Sequence, residues 1–319
     1  MAHRWTRKAA LAVAATALVA AACSSGGDSA TPTTADDDTT TEAEDTTVLE
    51  LTPAGLEPLG PGAHYEGWLI VDGTPVSTGT FAIDDTGAIV DLDGEPVTDG
   101  FAIDPDDADG ATSVVITTEP AGDTDPAPSS LTYLSGPVAG DQAELTILET
   151  FGTDFAEVDG QYILATPSDG RGSDENERSG IWFLELDPPR APGLRLPPLP
   201  AGWVYEGWVV IDGVPVSTGR FADPAGPDSA VIYSADVDLP PLPGEDFLMA
   251  APAGLTFPVD LRGATVVISI EPEPDDGPGP FALKPLVGDI PGDAEDHVEL
   301  FIANRAGAPP SAVAVIRRG

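Results

Sequence analysis

From about residue 48 onward the apolar positions come in short bursts rich in Val, Ile, Tyr, Phe and Trp, each closed by Gly, Pro or Asp. That pattern predicts strands, because β-branched and aromatic side chains suit a pleated surface and the flanking residues suit turns. Between Tyr65 and Asp72, a period of two places Tyr65, Gly67, Leu69 and Val71 on one face and Glu66, Trp68, Ile70 and Asp72 on the other. Both faces are partly apolar, as expected of a central strand. Asp72-Gly73 is a tight-turn dipeptide and leads through Pro75-Val76-Ser77-Thr78-Gly79 to a second strand at Phe81, which predicts a hairpin.

The same pattern returns 140 positions later. Tyr205-Glu206-Gly207-Trp208 through Asp212-Gly213 and Pro215-Val216-Ser217-Thr218-Gly219 to Phe221 matches the first copy at 12 of 17 positions, and three of the five differences exchange aliphatics. Further landmarks keep their order. Val114-Val115-Ile116 with Glu119-Pro120 answers Val266-Val267-Ile268 with Glu271-Pro272, and Ala143 to Ile147 answers Val298 to Ile302. The repeated unit is therefore the whole module. The expectation is an all-β chain of two tandem β-sandwich modules, at 48–166 and 181–319, with a Gly, Ser and charge-rich connector at 167–180. The connector reads either as an exposed link or as a long hairpin tip, in which case the modules share a sheet.

The first 47 residues read differently. Arg4, Arg7 and Lys8 precede an apolar run from Ala9 to Ala22, too short for the ~18 or more residues of a spanning helix and followed at once by Cys23, the one cysteine. A signal peptide over 1–22 is predicted. Residues 23–47 are Ser, Gly, Thr and Asp with almost nothing apolar, and predict a disordered acidic tether of about 27 Å root-mean-square span.

Composition narrows the functions open to such a chain. With 34 Pro and 35 Gly, long helices are disfavoured. A formal charge of −41 excludes nucleic acid and anionic membrane surfaces as partners and allows weak, non-specific divalent cations. Three histidines and one cysteine leave little material for a metal centre, so no metal and no cofactor is expected. The acidic loops at Asp91 to Gly94 and Asp104 to Gly110 lack the register of a calcium loop and read as solvated turns. Ser77 and Ser217 recur, but no Gly-x-Ser-x-Gly elbow surrounds them and Val204 stands where the first repeat has His64, so no catalytic triad is expected. Glu119 and Glu271, each before a proline, are the carboxylates from which a hydrolase would have to be built. Tryptophans at fixed strand positions read first as core and otherwise as an aromatic platform. The candidate ligand contacts are thus Trp68, Asp72 and Ser77 with their repeats Trp208, Asp212 and Ser217.

Two resemblances follow from these residues. Ala20-Ala21-Ala22-Cys23 resembles the lipobox of bacterial lipoproteins, with Ala20 in place of the more typical Leu, and implies lipidation of Cys23 and residence on the outer face of the cell membrane. The run Tyr-Glu-Gly-Trp, apolar stretch, Asp-Gly-x-Pro-Val-Ser-Thr-Gly-x-Phe, with the later Thr118-Glu119-Pro120-Ala121-Gly122, resembles the extracytoplasmic C-terminal domain of anti-sigma-K factors. This implies an immunoglobulin-like β-sandwich outside the cytoplasmic membrane. That family's cytoplasmic sigma-binding domain, zinc motif and spanning helix have no counterpart in the sequence, so sigma-factor sequestration is not carried over. The expected function is non-catalytic binding of a protein or other envelope ligand. An accessory sensor in extracytoplasmic signalling is the alternative, and a carboxylate-dependent envelope hydrolase is the alternative of another class.

Overall fold

The structure is a computed structural model that describes residues 46–169, 176–229, 232–235, 239–274, 277–305 and 309–319. The expected signal peptide, Cys23 and all but the end of the expected tether lie outside the described residues. The first repeat comprises β1 (Val48–Ala54), β2 (Ala63–Val71), β3 (Thr74–Ile83), β4 (Ile89–Val90), β5 (Phe101–Ala102), the short helix α1 (Pro105–Gly110), β6 (Ala111–Pro120), β7 (Thr132–Ala139), β8 (Gln142–Thr146) and α2 (Ile147–Phe151). The chain continues through β9 (Asp159–Leu164), β10 (Gly180–Trp182), β11 (Leu184–Glu185), β12 (Ala191–Pro192) and β13 (Leu194–Arg195). It ends with β14 (Trp203–Ile211), β15 (Val214–Phe221), β16 (Gly244–Asp246), β17 (Thr265–Pro272), β18 (Leu286–Asp289), β19 (Leu300–Ile302) and β20 (Ser311–Arg317). The fold is all-β, as the apolar pattern predicts.

Nine strands form one antiparallel sheet in the order β4-β3-β2-β6-β7-β8-β20-β1-β5. It folds over until strands near its two edges meet. Phe81 on β3 and Phe101 on β5 bring their rings to 5.7 Å, and Phe101 lies so close over Gly79 that a Cβ there would stand 3.1 Å from the ring. The sandwich-like interior holds Leu49, Tyr65, Leu69, Val114, Tyr133 and Leu145. In the second repeat, one sheet runs β15-β14-β17-β18 and another β13-β9-β10-β16, with β19 also on β9.

The repeated hairpins agree residue for residue. Both turns hold Asp and Gly at positive φ, 50° and 78° at Asp72-Gly73 and 50° and 81° at Asp212-Gly213, the tight turn whose twist matches the flanking strands. Both carry a bulge between glycine and tryptophan, at Gly67/Trp68 and Gly207/Trp208. The acidic loops cap themselves. Asp104 Oδ1 accepts the Asp106 amide at 2.8 Å at the start of α1, and Asp91 Oδ1 accepts those of Asp93 and Glu95 at 3.0 and 2.8 Å.

Strand pairing crosses residues 167–180 in both directions. β9 pairs with β10, placing Leu164 opposite Ile181, and with β19, placing Tyr162 opposite Leu300. β20 pairs with β1 and β8, placing Ile316 opposite Leu49 and Ala314 opposite Ala143. The segments 48–166 and 181–319 therefore each lend a strand to the other's sheet. β9 and β10, the described strands on either side of residues 165–179 in sequence, are neighbours in one sheet. Where the repeats meet, Trp203 packs against Phe151, Phe281 and Tyr133 at 5.2, 5.6 and 6.1 Å between ring centroids, and residues of both repeats belong to a single apolar core.

Candidate functional site

The repeated candidates divide by position. Trp68 and Trp208 are 1% and 3% exposed, because β2 and β14 are central strands with a neighbour on each side. Each indole begins a short buried polar chain. Trp68 Nε1 donates to Thr117 Oγ1 at 2.9 Å, and Thr117 Oγ1 donates to Glu119 Oε1. In the second repeat, Trp208 Nε1 donates to Ser269 Oγ at 2.8 Å, and Ser269 Oγ donates to Glu271 Oε1. Backbone amides complete the carboxylates, from Ser129 to Glu119 at 2.9 Å and from Phe281 to Glu271 at 2.8 Å. Loss of one link leaves a buried partner unsatisfied, at about 1–3 kcal/mol, so these chains specify how β2–β6 and β14–β17 pack.

Ser77 and Ser217 donate to Glu66 and Glu206, one strand over from the indoles. Burial pushes the Glu66 carboxyl up, and the nearby Glu119 adds to this while the Ser77 hydroxyl and His64 oppose it. The second repeat answers with charge, since Arg220 Nε stands 3.4 Å from Glu206. Asp72 and Asp212 remain exposed at the hairpin tips. The structure thus gathers each tryptophan and serine beside two buried glutamates and leaves each aspartate apart. Glu119 and Glu271 belong to different sheets, and each is engaged by a hydroxyl and an amide of its own repeat.

Two buried acids are missed by sequence reasoning. Glu245 and Asp246 on β16 have no exposed surface. Asp246 Oδ1 accepts Trp182 Nε1 at 2.8 Å, and its Oδ2 accepts the Ser168 amide at 2.7 Å. Glu245 accepts the Ile232 amide at 3.0 Å and the Ser234 hydroxyl. Burial raises both carboxyls above their ordinary range, with these hydrogen bonds opposing. In so acidic a chain, Glu-Asp after a glycine reads as one more surface pair, and only pairing with β10 takes it inside.

A cavity of about 300 Å³ opens where the two repeats meet. Glu57, Ile147, Asp154 and Phe155 line it from the first repeat and the segment that follows it, and Leu283, Lys284, Val287 and Arg305 from the second. Lys284 is the one lysine beyond residue 8, and its Nζ lies 2.9 Å from Glu57 Oε2. Arg305 is exposed and forms no ion pair among the described residues. A second depression of about 190 Å³ shares Glu57 and Ala282 with the first and extends past Pro58 to Gly60. The cleft thus offers apolar walls, the Lys284–Glu57 ion pair, the Asp154 carboxylate and one cationic head outside any described ion pair, Arg305, which gives an anionic group on a partly apolar ligand a place to pair. Among the described residues, no three His, Cys, Asp or Glu side chains converge as a metal site. No protein-family model, curated protein or solved structure matches the chain.

Proposed function

We propose that the protein is a non-catalytic binding module, lipid-anchored at Cys23 on the outer face of the cell membrane, and that its ligand is an envelope component bound in the cleft between the repeats. One observation carries this reading. In a chain with 54 acidic residues, the cleft sets Arg305, one of the ten basic residues beyond the leader and without an ion pair among the described residues, against an apolar wall, beside the paired Lys284 and Glu57 and the Asp154 carboxylate. The net negative field repels anions, so an anionic group on a partner needs a local cation such as Arg305 for a favourable contact. The acidic tether suits the same role, since a repelling coil holds the sheets away from an anionic surface. The likeness of both repeats to the extracytoplasmic domain of anti-sigma-K factors makes a membrane-spanning signalling protein the class of partner to seek first.

Immobilised mature protein and its Arg305→Glu variant, exposed to the same envelope extract, test the assignment. The expected result is a partner retained at least tenfold less by the variant, with unchanged thermal stability because Arg305 forms no described ion pair. Equal retention overturns the cleft as the site. Mass spectrometry of the membrane fraction should find Cys23 acylated, and an unmodified thiol on a freely diffusing chain overturns the anchor.

A further inference from the structure

Each repeat ends in a strand that leaves it. β9 follows β8 and α2 along the chain yet lies between β19 and β10, whereas β20 follows β19 yet lies between β8 and β1. These two slots are equivalent. β1 and β10 open their repeats, β8 and β19 stand just before the departure, and β5 and β16 flank the far side of β1 and β10. The backbone repeats accordingly. The Ile103 amide donates to the Thr47 carbonyl at 3.0 Å beside β1, and the Phe247 amide donates to the Ser179 carbonyl at 2.6 Å beside β10. The inserted strands are alike in phase, with Ala312, Ala314 and Ile316 turned inward on β20 and Gly160, Tyr162 and Leu164 on β9.

The two departing segments also touch. Asn304 Nδ2, on the way to β20, donates to the carbonyls of Phe155, Ala156 and Val158 on the way to β9, at 3.2, 3.0 and 2.7 Å. One amide thus ties both crossovers at a single point.

We infer that the repeats form a reciprocal strand exchange within one chain. Each repeat is an acceptor surface for the last strand of a second copy of itself, and that copy is supplied by the same polypeptide. β20 pairs at seven positions along β1 and five along β8, so the donated strand fills its slot on both edges. Linkage in one chain makes the exchange intramolecular, at effective concentrations on the order of millimolar for a short flexible link. Exchange of an identical element is a route by which identical units pair, and here it makes the pair of repeats the smallest complete unit. This holds whatever the cleft binds.

The test uses the full chain with Cys23→Ser and a protease site in place of residues 170–175. One variant adds Glu144→Cys with Val313→Cys, facing positions on β8 and β20, and a second adds Gln161→Cys with Phe301→Cys, facing positions on β9 and β19. Glu144 and Phe301 are exposed, and Val313 and Gln161 are half-buried, which spares the core. After oxidation and cleavage, each variant should run as one species of single-chain mass on a denaturing gel and fall into two pieces only on reduction. Pieces that separate without reductant, or chains linked only in pairs at twice the mass, overturn exchange within one chain. The cleaved protein without added cysteines should elute as one complex at micromolar concentration, whereas two pieces eluting apart would mean self-contained repeats.

Discussion

At the scale of single residues, the chain places polar groups deep in its sheets and links several of them into short hydrogen-bonded chains. Ser269 is fully buried and joins Trp208 to Glu271, so Ser269→Ala should orphan an indole N–H and one carboxylate contact, at about 2–3 kcal/mol in urea unfolding. Glu245 governs a pH effect whose sign follows from burial. Its folded carboxyl holds a proton more tightly than the unfolded chain does, so its contribution to stability is fullest at low pH. That contribution is lost as pH rises from the ordinary carboxylate range through the raised folded value. Glu245→Gln should therefore gain on the parent between pH 4 and pH 7, measured as urea stability at both values; a constant difference would show that Glu245 does not titrate abnormally. None of these partnerships was legible in the sequence. Trp68 and Thr117 stand 49 positions apart, Trp208 and Ser269 stand 61 apart, and the period-two pattern reports which face a residue occupies rather than what stands beside it on the next strand.

At the scale of elements, the hairpins were the most legible feature, because an Asp-Gly turn and an alternating strand on each side are local physics. Register across the rest of the sheet depends on backbone closeness that no local pattern reveals. Gly136 on β7 lies against β8 so tightly that a Cβ would stand 2.0 Å from the Glu144 carbonyl oxygen. Gly136→Ala should cost about 2–3 kcal/mol by forcing the β7–β8 pair apart, with amide exchange accelerated first in those two strands. Gly140 lies in the adjoining turn at φ 67° with open space around it, so Gly140→Ala should cost only about 1 kcal/mol of backbone strain. Equal losses at the two sites would show that crowding does not set the fit of β7 to β8. The short strands β5 and β16 escaped the pattern, since two or three residues carry too little periodicity to register, whereas β19 was marked through its match to Ala143 to Ile147 in the first repeat.

At the scale of the whole molecule, charge and connectivity dominate. Beyond the leader, ten basic residues face 54 acidic ones, a balance of −44, and this self-repulsion should weaken with screening. The thermal midpoint should therefore rise between low and roughly physiological salt at neutral pH, a range over which the Debye length shortens from about 30 Å at 0.01 M to about 8 Å at 0.15 M. A midpoint insensitive to sodium chloride would mean that the described ion pairs, rather than the net field, set the electrostatic balance. Because the nine-stranded sheet contains β20 and the sheet of β10 and β16 contains β9, calorimetry should find one unfolding transition, whereas two separable transitions would mean that the repeats open independently. The sequence by itself determined the all-β class, the duplication, the hairpins with their turns and the sign of the molecular field, since each depends on residue type and short-range spacing. Only the tertiary structure decided which repeat holds each final strand, where the buried acids lie and where the cleft opens. The two slots have equivalent neighbours, so a local apolar pattern does not tell them apart, and the pairings of β20 with β1 and of β9 with β19 join positions more than a hundred residues apart.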